Sequence, residues 1–190
     1  DTGRSVWDAA VVLAKHLESN KDIVHGKRIL ELGAGTGLAG LAAAVMGGHV
    51  DISDLPYCLP AIETNINATN LGTSGGSATA LKLNWESTNF DPTKDIYDVI
   101  LGADIVWLEH LVQPLVKIME DLLKLNPNIN ILLGHQTRSA YTDELFFSSL
   151  AKKFTIQKVK KPDGFQSTKV NLFHLMGKGK QVSIDSECKN

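Results

Sequence analysis

A glycine-rich turn between a short strand and a helix is the feature that most constrains the fold of this chain. The apolar run at residues 28–32 predicts a strand, and Gly33, Gly35 and Gly37 follow it. A helix comes next, because apolar residues recur at the i, i+3, i+4, i+7 spacing of a helix packed on a sheet: Leu38, Leu41, Ala42 and Val45. Glycines at such a turn let the backbone bend sharply and let a ligand approach main-chain N–H groups. The segment therefore predicts the first β-α unit of a nucleotide-type site.

The spacing of these glycines excludes the dinucleotide fingerprint. G-x-G-x-x-G/A counted from Gly33 requires a glycine or alanine where the chain has Leu38. The pattern from Glu31 to Gly37 reads E-x-G-x-G-x-G. It resembles motif I of the class I S-adenosylmethionine-dependent methyltransferases, in which the glycine loop passes under the cofactor and no phosphate is bound. A glycine-rich turn is, on its own, also compatible with a purely structural loop.

Composition indicates an ordinary globular protein. The 190 residues fit one domain, with 43% hydrophobic and 21% charged residues and a formal net charge of −2, so no polyelectrolyte signature points to nucleic acid. No apolar stretch is long enough to span a bilayer. Cys58 and Cys188 lie far apart and are interpreted as reduced thiols in the cytoplasm or nucleus. The histidines show no ligand spacing, and no metal site is predicted.

Polar and aromatic residues follow three further predicted strands. The strand at residues 49–54 ends at Asp54, where an open α/β sheet presents an acid to ribose hydroxyls, although Asp54 could instead cap the next helix. Trp85 follows the strand at residues 78–83 and could stack on an adenine. Asp104 ends the apolar strand at residues 97–104, with Trp107 close behind, and capping the following helix is again the alternative.

The order of elements predicts an α/β architecture. An N-terminal helix is expected to begin with a capping box of Ser5 and Asp8, which puts Trp7 in its first turn and favours packing of Trp7 in the core. Repeated β-α units follow, and the strands at residues 154–159 and 170–176 form an antiparallel pair. Together they predict a mostly parallel, doubly wound sheet with helices on both faces. Residues 177–190 are expected to form a polar tail.

The chain is similar to a known family, the seven-strand protein-lysine methyltransferases that modify chaperones and translation factors. The similarity covers residues 3–176 and is carried by the stretches at residues 3–10, 30–38, 53–56, 84–85 and 101–107. Within them, W-D-A-A at residues 7–10 and G-A-D at residues 102–104 are the most specific. The resemblance implies a single class I methyltransferase domain over residues 1–176. It also implies a Rossmann-like, seven-stranded sheet of order 3-2-1-4-5-7-6, with an antiparallel last strand.

The resemblance further implies which residues form the site. The cofactor would be bound by Trp7, Glu31, Gly33, Ala34, Gly35, Gly37, Asp54, Trp85 and Ala103. Asp104 and Trp107 would be the catalytic pair beside the acceptor, because Asp104 opens the family's D-x-x-Y motif. The motif reads D-x-x-W here, so the aromatic wall is kept and the hydroxyl is lost, which leaves a hydrogen-bonding role at Trp107 open. His135 and Arg138, at the end of the next strand, could contact the substrate backbone or its acidic residues, but they are interpreted as a solvated rim.

The resemblance implies an enzymatic function, and two alternatives stay open. The expected reaction is methyl transfer from S-adenosylmethionine to a lysine side chain of a protein, a chaperone or translation factor, with S-adenosylhomocysteine as the product. A class I methyltransferase acting on a small amine or RNA is one alternative, and a non-catalytic binding module of the same fold is another. The chain is expected to be a monomer without nucleic-acid or membrane partners.

Overall fold

A seven-stranded sheet forms the centre of the molecule. The computed structural model describes Gly3 and residues 5–179. The sheet has the order β3-β2-β1-β4-β5-β7-β6, with β7 antiparallel to both of its neighbours and β1 to β5 parallel. Both the strand order and the antiparallel last strand confirm the predictions. The strands are β1 (Arg28–Leu32), β2 (His49–Asp54), β3 (Ser77–Lys82), β4 (Val99–Ala103), β5 (Asn130–His135), β6 (Phe154–Val159) and β7 (Asn171–Gly177).

Helices cover both faces of the sheet, as predicted. The helices are α1 (Asp8–Ser19), α2 (Leu38–Val45), α3 (Leu59–Ala68), α4 (Glu109–Leu125) and α5 (Ala140–Leu150), with a short 3-10 turn at Lys21–Ile23. The first three pack in one buried cluster and the last two in the other. The connection from β3 to β4, residues 83–98, contains no helix, and its apolar residues pack in the cluster on the α4 and α5 face: Leu83, Trp85, Phe90 and Tyr97.

The central strands are buried on both faces. Ile29 packs in the cluster that includes Leu13 of α1, whereas the next residue, Leu30, packs in the cluster that includes Met119 of α4. This alternation follows from the period of two along a strand, and it explains the nearly continuous apolar runs. Side chains along the central strands are therefore buried in the core, and polar functional groups are expected at the ends of these strands.

The start of α1 differs from its prediction. The helix begins at Asp8 with Trp7 as its N-cap residue, and no side chain caps it, so the predicted capping box of Ser5 and Asp8 is wrong. Trp7 is in an extended conformation (φ −96°, ψ 148°). Its side chain is 38% exposed, so packing in the core is also wrong. The extended backbone instead carries Trp7 to the carboxyl edge of the sheet.

The last strand extends one residue further than predicted. Gly177 is the last residue of β7, so the predicted polar tail starts one residue too early, and residues 180–190 lie outside the described part of the chain. Cys58 is buried, and Cys188 lies outside the described residues. Within Gly3 and residues 5–179, no helix has the length and apolar character needed to cross a bilayer.

Candidate functional site

A pocket of about 460 Å³ opens at the carboxyl edge of the parallel strands. Its size lies in the range of pockets that hold small ligands and cofactors. It brings together nine of the eleven site residues predicted from the sequence: Trp7, Gly33, Ala34, Gly35, Asp54, Trp85, Ala103, Asp104 and Trp107. Glu31 and Gly37 do not line it.

The glycine loop forms one wall of the pocket, and a side chain at Gly33 would collide with its neighbours. Gly33 has a φ of +58°, and a Cβ placed on it would lie 3.0 Å from both Trp85 and Ile105. Gly35 has a φ of +57° and lies against the backbone of Gly3. Gly33 therefore needs glycine for its backbone conformation and for the close approach, and Gly35 needs it for its backbone conformation.

Asp54 is tied to the glycine loop by hydrogen bonds. One carboxylate oxygen accepts a bond of 2.7 Å from the Gly35 N–H, and the other accepts a bond of 2.7 Å from the Leu55 N–H. The helix-capping alternative is wrong, because α3 has Cys58 as its N-cap residue and no side-chain cap bond. Each oxygen of an ionised carboxylate can accept two hydrogen bonds. Asp54 can therefore hold the loop and still accept hydroxyl groups from a ligand.

Asp104 has the least ordinary backbone in the pocket. Its φ of +56° is left-handed, a conformation that non-glycine residues seldom adopt, and its N–H donates to the Gly134 carbonyl at 2.8 Å. Its side chain is 6% exposed, and Oδ1 accepts no hydrogen bond from the described residues. The capping alternative is wrong here too, because α4 starts with Leu108 as N-cap residue and no side-chain cap bond. A buried carboxylate oxygen with unused accepting capacity is suited to a ligand that donates hydrogen bonds.

Arg138 is part of the pocket instead of a solvated rim. Its guanidinium forms an ion pair with Asp104 Oδ2 and lies over the Trp7 ring, with Cζ 5.1 Å from the ring centroid. His135 is not a rim residue either, since it is buried beneath α5 with Nε2 3.0 Å from Asp143 Oδ1. That pair is close enough for an ion pair but lacks hydrogen-bond geometry. Three segments that are distant in sequence thus meet at Arg138.

Exposed aromatic side chains surround the mouth of the pocket. Trp107 is 49% exposed, and Tyr57 and Trp7 also line the opening with much of their rings exposed. Aromatic faces attract cations, and they can also pack against the methylene stem of a long amine side chain. The mouth is therefore suited to a cationic side chain.

Glu31 has a structural position below the glycine loop. Its side chain is 1% exposed, and Oε2 accepts a hydrogen bond of 3.0 Å from the Gly40 N–H in the first turn of α2. The pKa of Glu31 is raised to about 8, chiefly by burial and in part by the nearby Asp54, although hydrogen bonds from backbone N–H groups of α2 act to lower it. Gly37 likewise packs on the sheet, because a Cβ there would lie 3.1 Å from Ile52. Glu31 and Gly37 therefore support the glycine loop on the side that faces away from the pocket.

The charges around the pocket are mostly negative. Asp54, Glu86 and Asp104 line it, and Arg138 is the one lysine or arginine among its described lining residues. A pocket of this composition favours cationic ligands and offers little to a polyphosphate. Among the described residues, no group of three or more potential ligands is arranged to hold a metal ion.

Comparison with known proteins places the chain in a family. Residues 1–153 match the sequence model of the lysine methyltransferase family. The chain belongs to the lysine methyltransferase family. It is 38% identical over 155 residues to protein N-lysine methyltransferase METTL21A of Danio rerio, which covers 81% of this chain and 69% of the relative. It is 39% identical over 145 residues to EEF1A lysine methyltransferase 3 of Mus musculus, covering 76% of this chain and 60% of the relative. The chain thus spans 60 to 69% of the length of these two curated relatives.

Solved structures share the fold of this lysine methyltransferase family member. Magnesium protoporphyrin IX methyltransferase from Synechocystis with bound S-adenosylmethionine has a TM-score of 0.60 at 12% identity, covering 87% of this chain and 76% of that chain. A TehB-like S-adenosylmethionine-dependent methyltransferase from Corynebacterium glutamicum has a TM-score of 0.63 at 14% identity, covering 88% and 89%. The cofactor of the family is S-adenosylmethionine. The pocket fits it, with a glycine wall, two carboxylates that can accept hydrogen bonds and aromatic rings.

Replacing Asp54 by alanine is expected to weaken S-adenosylhomocysteine binding by about 1.5–3 kcal/mol, the range for hydrogen bonds to a charged group. The variant loses the acceptor for ligand hydroxyls and also the bond that holds Gly35. Isothermal calorimetry measures the change. Asp51→Ala is the matched control, because Asp51 lies in the same strand but bonds to Tyr97 away from the pocket. Binding by Asp54→Ala that equals the parent's would contradict the assignment to the ligand hydroxyls.

The buried Glu31 is expected to make stability depend on pH. Its folded pKa of about 8 lies above the ordinary value of 4.5, so between these values the folded state holds a proton that the unfolded state has released. The free energy of unfolding of the parent therefore falls as pH rises through this window, by up to about 1.4 kcal/mol per unit. Glu31→Gln should remove this slope in urea unfolding series at several pH values. The exposed Glu63→Gln serves as control, and parallel curves for Glu31→Gln and the parent would contradict the expectation.

Proposed function

We propose that this chain transfers methyl groups from S-adenosylmethionine to a lysine side chain of a protein substrate of the chaperone or translation-factor type. The observation that carries the proposal is the acidic, aromatic-rimmed pocket in which seven of the nine predicted cofactor residues meet the pair Asp104 and Trp107. The mouse relative, EEF1A lysine methyltransferase 3, supports a translation factor as substrate. The chain is expected to act as a monomer in the cytoplasm or nucleus, since two widely spaced cysteines suit a reducing compartment.

The cofactor half of the pocket is assigned to the glycine loop and its neighbours. Backbone groups at Gly33 and Gly35 allow close approach, and Asp54 accepts hydroxyl hydrogen bonds. Trp85 lies against Gly33 and provides an aromatic face. S-adenosylmethionine supplies a methyl group on a sulfonium: the amine lone pair forms the new N–C bond, and the electron pair of the broken S–C bond stays on sulfur. The chain's own contribution is alignment and the exclusion of water.

The acceptor half is assigned to Asp104 and the aromatic mouth. A lysine with an ordinary pKa near 10.4 is neutral in only about one molecule in a thousand near pH 7.4, a cost of about 4 kcal/mol. Trp107 lines the mouth and can desolvate the amine, which lowers the acceptor's pKa. Asp104 can accept a hydrogen bond from the amine and orient it, because Oδ1 has no partner among the described residues. The released proton passes to solvent.

Transfer of labelled methyl groups tests the proposal. The chain is incubated with labelled S-adenosylmethionine and either purified EEF1A or a cell extract, and the products are treated with protease or ribonuclease. We expect label in a discrete protein band that protease destroys, with methyl-lysine by mass spectrometry. Excess S-adenosylhomocysteine should abolish the signal.

The other products separate the alternatives. Label that survives protease and disappears with ribonuclease would show an RNA methyltransferase, which the acidic pocket disfavours. Label in a small-molecule filtrate would show a small-amine methyltransferase. Binding of S-adenosylhomocysteine with no transfer to any fraction would show a non-catalytic binding module.

A further inference from the structure

Arg138 links the two halves of the pocket. Its guanidinium is paired with Asp104 Oδ2 and lies over the ring of Trp7, and it also lines the pocket. Arg138 follows β5, Asp104 follows the adjacent strand β4, and Trp7 precedes α1, so three elements converge on one cation. Because the guanidinium of Arg138 contacts both a carboxylate and an aromatic ring, its position is fixed and its positive charge belongs to the site.

The ion pair addresses an electrostatic difficulty of the proposed reaction. An unpaired carboxylate beside an amine stabilises the ammonium form, and the ammonium has no lone pair with which to attack. Asp104 is needed to orient the acceptor but would, alone, keep the acceptor protonated. A guanidinium bound to the same carboxylate cancels much of that attraction and adds like-charge repulsion.

We propose that Arg138 is a positioning residue that fixes Asp104 and neutralises its charge, so that an acceptor amine beside Asp104 loses its proton more readily. The inference rests on the proposed function and names the residue that controls acceptor protonation. The other titratable side chains that line the pocket are Asp54, Tyr57 and Glu86. Outside it, His135 lies next to Asp143 of α5, and the exposed Glu109 and His110 begin α4. Among the described lining residues, the compensating cation is therefore Arg138.

Ligand binding tests the effect of the Arg138 charge on the site without requiring methyl transfer. S-adenosylhomocysteine carries no charge at the reacting position, whereas its amine analogue sinefungin carries an ammonium group there. Calorimetry gives the ratio of the two affinities for the parent, Arg138→Gln and Arg138→Lys. We expect Arg138→Gln to increase the affinity for sinefungin relative to S-adenosylhomocysteine about tenfold, because the ammonium then meets an uncompensated carboxylate. Arg138→Lys, which keeps the cation, should give the parent's ratio.

Two controls show that the effect acts through Asp104. In Arg138→Gln/Asp104→Asn the tenfold change should disappear, since the carboxylate is gone. Arg28→Gln is the matched single variant, because Arg28 also contacts a carboxylate, Asp51, and lies over an aromatic ring, Tyr97, at the other edge of the sheet. It should leave the ratio unchanged. An unchanged ratio in Arg138→Gln, or an equal change in Arg28→Gln, would overturn the inference.

The pH profile of methyl transfer gives the second readout. In Arg138→Gln the rising limb of kcat against pH should move about one unit higher, because the acceptor stays protonated to a higher pH. A uniform loss at every pH would mean that Arg138 is only structural and would overturn the inference. Failure of the proposed function is distinguishable, since the parent would then fail to bind S-adenosylhomocysteine or to methylate protein. The inference would fall with it in that case.

Discussion

Replacing Asp104 by asparagine should reduce methyl transfer at least about a hundredfold while leaving S-adenosylhomocysteine binding near the parent's value. The substitution keeps the size of the side chain but removes the charge that pairs with Arg138 and the carboxylate oxygen assigned to the acceptor. An interaction made at the acceptor side affects turnover more than cofactor affinity. Initial rates with labelled cofactor and calorimetry on the same preparation provide the two quantities.

Asp143→Asn is the matched control for this variant. Asp143 is also a largely buried aspartate beside a basic side chain, His135, but it belongs to α5 and does not line the pocket. It should change stability without a selective loss of turnover. If Asp104→Asn lost cofactor affinity and turnover equally, Asp104 would belong to the cofactor half of the pocket.

Replacing Gly134 by alanine should lower the free energy of unfolding by about 3 kcal/mol. A Cβ on Gly134 would lie 2.7 Å from the backbone oxygen of Ala9 in α1, and backbone cannot rotate away as a side chain can. The Gly134 carbonyl also accepts the hydrogen bond from the Asp104 N–H. The added methyl group therefore pushes α1 from β5 and disturbs Asp104 at once. Urea unfolding followed by circular dichroism measures the loss.

Gly72→Ala is the control for this substitution. Gly72 has a φ of +63° and nothing within 4 Å of an added Cβ, so alanine there adds strain but no collision. It should cost about 1 kcal/mol. Equal losses at Gly72 and Gly134 would show that α1 does not pack against β5 as described.

The central strands were open to prediction because they are buried on both faces, whereas the order of the strands came from the resemblance to the methyltransferase family. Continuous apolar runs, the glycine turn and the short link before the last strand each mark one element locally. The start of α1 could not be predicted from the sequence. Ser5 and Asp8 have the spacing of a capping box, but the helix begins at Asp8. Placement of Trp7 at the pocket overrides the local preference, and such placement depends on contacts distant in sequence.

Single residues that follow strand ends could be placed at the pocket from the sequence, whereas the pairing of side chains could not. Asp54 and Asp104 could be placed at the carboxyl edge from their position alone. The pairing of Arg138 with Asp104 needs the geometry of two loops, although the order β4-β5 brings opposite charges to adjacent strand ends. Glu31 was assigned to the cofactor from the motif, yet alternation turns it away from Leu30 and toward α2. That alternation was a signal present in the sequence.

The central claim is that the pocket at the carboxyl edge binds S-adenosylmethionine and presents its methyl group to an acceptor amine held beside Asp104. A crystal structure of the chain with S-adenosylhomocysteine tests it most directly. The account predicts ligand density inside the pocket, with ribose hydroxyls within hydrogen-bond distance of Asp54 and the sulfur on the side of Asp104. Density elsewhere on the molecule, or a ribose that makes no contact with Asp54, would contradict it.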